Sequence, residues 1–123
     1  MKNLLKVIFA TAALNLGIAS ANAESQNENV VLINTFTVPG EVLQETIEYW
    51  EQARDFLKEQ PGYVSTKLHQ SLSPDAKYLL VNVAEWETAE AFKAATALMH
   101  KTASLPLIEG VVPGPGLYKV IRN

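Results

Sequence analysis

The stretch Val30-Val-Leu-Ile-Asn-Thr-Phe-Thr-Val38, then Pro39-Gly40, then Glu41-Val-Leu-Gln-Glu-Thr-Ile-Glu-Tyr-Trp50, changes period partway along, and that change decides the fold. Its first part is β-branched and apolar, which suits a strand, and Pro39-Gly40 stops it. From Glu41 a different spacing takes over. Val42, Leu43, Thr46, Ile47, Trp50, Ala53, Phe56 and Leu57 recur at three- and four-residue steps, while Glu45, Glu48, Glu51, Arg54, Asp55, Lys58 and Glu59 fill the opposite face. This pattern predicts a long amphipathic helix that ends at Pro61-Gly62.

Tyr63 to Gln70 alternates as a strand does, with Val64, Thr66 and Leu68 expected on one face. Ser73-Pro-Asp-Ala reads as a turn, and Lys77 to Trp86 as a second strand, so residues 63–86 form a hairpin. Thr88 is placed to cap a second helix, with Glu90 in its first turn, where the helix dipole favours an acid. That helix runs through Ala91, Phe92, Ala95, Leu98 and Met99. Ile108 to Gly116, around Val-Pro-Gly-Pro-Gly, reads as a loop, and Leu117 to Arg122 as a last short strand. The order is β-α-β-β-α-β, the ferredoxin-like α+β pattern: an antiparallel sheet with two helices on one face. The sheet's other face is left bare, and a second copy of the same sheet is the simplest cover for it.

Outward from this domain lies Met-Lys-Asn-Leu-Leu-Lys, two positive charges ahead of an almost wholly apolar run from Val7 to Ala19. The run is too short for a membrane span and leads to Ala21-Asn22-Ala23, so residues 1–23 read as a secretory signal peptide and residues 24–123 as the mature domain. The expected location is periplasmic or secreted, with no membrane attachment after cleavage. Of ten basic residues the leader takes Lys2 and Lys6, leaving eight against thirteen acids, a net charge of −5. An acidic domain without a basic cluster is not built for nucleic acid, which is bound through Lys and Arg. Without a cysteine, disulfides and thiolate chemistry are absent, and stability rests on the core.

Two asparagines stand where strand alternation places apolar neighbours. Asn82 shares a face with Tyr78, Leu80, Ala84 and Trp86; Asn34 shares one with Leu32, Phe36 and Val38. An amide in such company needs a hydrogen-bond partner. A substrate carbonyl or phenol is one candidate and a backbone group is the other. Trp86 is equally either a wall for an aromatic ligand or core. The first and third strands, which carry the asparagines, would be neighbours in this topology, so the two amides are expected to share one polar spot. Trp50 and Phe92 fall on the apolar helix stripes, where they serve the core and can also line a pocket. His69 and His100 are the two imidazoles. Neither sits in an H-x-x-x-H or H-x-H pair, and there is no Ser-His-acid signature, phosphate loop or dinucleotide fingerprint.

Val38-Pro-Gly, Tyr49-Trp50-Glu, Gln60-Pro-Gly-Tyr63, Ser65-Thr-Lys-Leu-His69 and above all Asn82-Val-Ala-Glu-Trp86-Glu-Thr-Ala-Glu-Ala-Phe92 resemble the antibiotic biosynthesis monooxygenase (ABM) domain, over about Val30 to Leu98. The resemblance implies a dimeric α+β barrel. It implies oxidation of a small quinol or polycyclic phenol by molecular oxygen as co-substrate, without metal, flavin or haem. In that family an Asn and a Trp four residues apart on this strand bind and help activate the substrate, and Asn82 and Trp86 match them. The substrate pocket is then expected to draw on Asn34, Trp50, His69, Tyr78, Phe92 and His100. Two features depart from the pattern. Phe92 stands where those enzymes place a Tyr, and their late Arg has no counterpart. The family's haem-degrading branch uses an Asn on the first strand, a Trp in the second helix and a His near that helix's end. Asn34 and His100 fit this, but Ala95 occupies the Trp position. A non-catalytic exported protein that binds an aromatic or haem-like ligand in the same cavity is the alternative reading.

Overall fold

The computed structural model describes residues 28–123; the expected signal peptide and its cleavage after Ala23 lie outside the described residues. Strand β1 (Val30–Thr37) leads through a single 3-10 turn, Gly40–Val42, into helix α1 (Leu43–Leu57). Strands β2 (Tyr63–Gln70) and β3 (Leu80–Trp86) follow, then helix α2 (Ala89–Thr102) and strand β4 (Val112–Tyr118). The sheet order is β2-β3-β1-β4 and every pairing is antiparallel. The ferredoxin-like α+β fold expected from the sequence is the one observed. Among the described residues no helix is long and apolar enough to cross a membrane.

Alternation along the two central strands sorts the residues cleanly. Leu32 and Phe36 of β1 and Leu80, Ala84 and Trp86 of β3 are buried beneath the helices. Near α2, Leu32, Ala84 and Trp86 pack with Ala95, Ala91, Phe92 and Leu57; near α1, Phe36 and Leu80 pack with Leu43, Ile47 and Trp50. Val31, Ile33, Val81 and Val83 point to the other face and are only half-buried. Thr88 caps α2 as expected, its Oγ1 accepting the Ala91 N–H at 3.0 Å.

Three details differ from the sequence reading. Residues Lys77 and Tyr78 precede β3, which starts at Leu80, so Tyr78 is exposed and off the strand. The last strand is Val112–Tyr118, so Val-Pro-Gly-Pro-Gly is strand rather than loop and Lys119 to Arg122 lie beyond it. Pro113 and Pro115 are tolerated because β4 is an edge strand with one side unpaired, where a missing N–H costs no ladder bond. Finally, a β-bulge between Tyr63 and Ser65 removes Val64 from the face of Thr66 and Leu68. Tyr63 takes the place expected for Val64, opposite Trp86, and Val64 is exposed.

Candidate active site: an aromatic-walled cavity over a pair of amides

The helices stand off the middle of the sheet and leave a cavity of about 570 Å³. Its floor is the sheet face, where Asn34 of β1 lies directly opposite Asn82 of β3 in the ladder. Directly paired side chains on one sheet face have Cβ atoms roughly 4.5–5.5 Å apart, so the two carboxamides are immediate neighbours. Their partners decide which end of each amide remains available. Thr66 Oγ1, on β2, donates to Asn82 Oδ1 at 2.6 Å. The Gly114 N–H, on β4, donates to Asn34 Oδ1 at 3.1 Å. Both carbonyl oxygens are thus occupied, and among the described residues neither amide nitrogen has a partner. Asn82 is only 7 % exposed, so its N–H donors are withdrawn from bulk water as well. The floor of the cavity is therefore a pair of hydrogen-bond donors set in apolar surroundings, an arrangement suited to an oxygen that is, or becomes, negative.

The walls are aromatic. Trp86 is 1 % exposed and is gripped edge-on by Tyr63 (5.6 Å between centroids, 88° between planes) and by Phe92 (5.7 Å, 70°). Trp50 of α1 closes the side nearer the first helix, with the Arg54 guanidinium 5.3 Å from its ring centroid. Arg54 Nε also donates to Asp55 Oδ1 at 3.0 Å, and that bond, with the charges of Arg54 and Lys58, holds the exposed Asp55 carboxyl below its ordinary range. At the rim, the last turn of α2 contributes His100 and the following loop contributes Ile108 and Glu109. Among the described residues no three His, Asp or Glu side chains converge in a way that could hold a metal ion.

Six of the eight residues singled out in the sequence line this cavity: Asn34, Trp50, Asn82, Trp86, Phe92 and His100. The other two do not. His69 lies on a shallower neighbouring groove between α1 and β2, exposed, its Nδ1 3.2 Å from the Val81 carbonyl oxygen. It is kept out of the cavity because its strand position, opposite Val81, lies on the sheet face away from the helices. Tyr78, ahead of β3, lines neither space. Sequence reasoning passed over Thr66, Tyr63, Arg54 and Glu109. Thr66 was visible only through the β2–β3 register, which pairs it with Ala84, one step along its face from Asn82.

A ferredoxin-like sheet whose covered face encloses an aromatic-walled cavity of this size, with a few placed donors, defines a small-molecule site. The match to the family model "Antibiotic biosynthesis monooxygenase" spans residues 29–103, and the chain belongs to that family. Among solved structures it is similar to a candidate monooxygenase from Shewanella loihica PV-4, at 46% identity over 78% of this chain and 97% of that one, with a TM-score of 0.72. It is also similar to SnoaB, a cofactor-independent oxygenase from Streptomyces nogalater, at 29% identity over 78% of this chain and 96% of that one, TM-score 0.62. The haem-degrading protein Rv3592 of Mycobacterium tuberculosis shares the fold, at 22% identity over 78% of this chain and 94% of that one, TM-score 0.55. Comparison with curated proteins finds no match.

Proposed function

We propose that the protein is an exported, cofactor-independent monooxygenase that oxidises a small quinol or polycyclic phenol with molecular oxygen, acting as a homodimer. The observation that carries this reading is the pair of amides whose carbonyls are both engaged, leaving two amide NH2 groups as donors at the floor of an aromatic-walled cavity. The similarity to SnoaB supports the absence of a cofactor.

The chemistry needs little from the protein beyond this floor. Loss of a proton from the bound phenol concentrates charge on a ring oxygen, and donors fixed beforehand stabilise that anion most strongly where water is excluded. The anion gives up electrons to O₂. One oxygen atom bonds to the ring carbon, and the other leaves as water with the two hydrogens lost by the substrate. His100 and Glu109 at the rim are the candidates to accept the first proton. Trp86, Phe92 and Trp50 hold the rings flat and aligned, which contributes rate by positioning alone.

The bare sheet face supports the homodimer reading: Val31, Ile33, Val81 and Val83 form an apolar strip across the two central strands. Export rests on the leader ending Ala21-Asn22-Ala23. The test is oxygen uptake by the purified protein across a panel of quinols and hydroxyanthrones, using isotopically labelled dioxygen. One labelled atom in the product and one in water supports the reading. Tight binding of the panel without uptake would replace it with the binding-protein alternative.

A further inference from the structure

Tyr63 enters the cavity only because β2 is irregular at its start. In an unbroken strand Val64 would share a face with Thr66 and Leu68, and Tyr63 would point to the bare side of the sheet. The bulge between Tyr63 and Ser65 reverses this, placing Tyr63 opposite Trp86 under the helices and turning Val64 out to solvent. Bulges are a recurrent means of re-aiming one side chain beside a site. The residue before it is constrained as well. Gly62 has φ +89°, and a Cβ there would collide with the Ala91 side chain of α2, so only glycine allows this approach. The chain thus exchanges a valine for a tyrosine at the cavity wall, in a conformation that glycine alone supports.

The fold uses the ring of Tyr63, through its edge-on contact with Trp86, but it makes no use of the hydroxyl. Among the described residues that hydroxyl has no hydrogen-bond partner, although Tyr63 lines the cavity. Phenylalanine would brace Trp86 equally well. Tyr63 also stands at the far end of the site from the amides. Its backbone pairs with Trp86, whose Cα lies four residues along β3 from that of Asn82, about 13 Å at the usual strand rise of about 3.3 Å per residue. With the two polar groups set at different positions along the sheet, one ligand reaches both only if it is elongated.

We infer that Tyr63 is a second polar anchor of the substrate site: its hydroxyl bonds an oxygen at the end of an elongated aromatic substrate, while Asn34 and Asn82 hold the oxygen at the other end. The inference rests on the amide floor being the substrate site. It narrows the substrate class to elongated aromatics oxygenated at both ends.

The test uses two anthraquinones that do not turn over, one with a hydroxyl at one end of the ring system and one with hydroxyls at both ends. Binding is followed by quenching of tryptophan fluorescence in wild type, Tyr63→Phe and Asn82→Ala. Wild type binds the doubly hydroxylated compound about tenfold more tightly, the scale of one added hydrogen bond. Tyr63→Phe reduces that preference to less than about twofold and leaves affinity for the singly hydroxylated compound unchanged. Asn82→Ala weakens both. A preference that survives Tyr63→Phe, with Asn82→Ala still weakening both compounds, overturns the Tyr63 anchor and leaves the site reading intact. Unchanged affinities in both variants overturn the site reading itself.

Discussion

Trp86 is 1 % exposed and gripped on two sides by Tyr63 and Phe92, whereas Asn82, four residues earlier on the same face, touches the fold through one hydrogen bond from Thr66. The two residues therefore differ in how far function can be separated from folding. Truncating Trp86 to alanine empties the centre of one of the two core clusters, and the expected loss is about 3–5 kcal/mol in urea denaturation. A loss under about 1 kcal/mol would show that the ring belongs to the pocket alone. Removing the Asn82 amide leaves the Thr66 hydroxyl without its acceptor, a cost of about 1–2 kcal/mol that a folded protein of this size survives. At this scale Asn34, Asn82 and Trp86 were legible in the sequence because an amide or an indole among alternating apolar residues stands out. What the amides bond to was not legible. It depends on Thr66 and Gly114, residues on two other strands, and so on registers that no local pattern encodes.

The elements themselves followed from local periodicity wherever one face is buried and the other wet. Helix α1, the α2 cap at Thr88 and the order of β1 to β3 are of that kind. Two strands departed from it. In β4, Pro113 and Pro115 read as loop because proline cannot donate to a ladder, yet an edge position needs only one side paired. In β2, the bulge shifted the phase by one residue, and a one-residue shift exchanges the two faces of a strand. Gly62 marks the place: it follows α1, takes a positive φ and lets α2 approach within contact of the turn. Gly62→Ala should therefore destabilise the protein by about 1–3 kcal/mol, through positive-φ strain together with the collision at Ala91. It should also weaken ligand binding by displacing Tyr63. Thermal denaturation alongside a ligand titration would check both effects. An unchanged midpoint would mean that the turn relaxes without consequence.

For the whole molecule, the βαββαβ order places both helices on one sheet face, and the apolar residues of β1 and β3 that point the other way call for a partner. Ile33 and Val83 are directly paired at the middle of that face. Ile33→Glu would set like charges against one another across the proposed two-fold interface, and sedimentation velocity should show a dimer for wild type and a monomer for the variant. A wild type that sediments as a monomer would overturn the proposed homodimer. The fold, its bare face and the family were all open to sequence reasoning, because each rests on patterns running the length of the domain. The shape of the cavity was not, since it depends on how far the helices stand from the sheet. In the proposed reaction the two amides at the cavity floor stabilise the anion that reacts with O₂. The measurement that meets it most directly is oxygen uptake with a quinol or hydroxyanthrone that wild type oxidises, comparing wild type and Asn82→Ala, each shown to be folded by circular dichroism. Turnover should fall about a hundredfold or more in Asn82→Ala, the scale of losing one donor to a developing anion. Uptake within about twofold of wild type in a folded Asn82→Ala variant would contradict it.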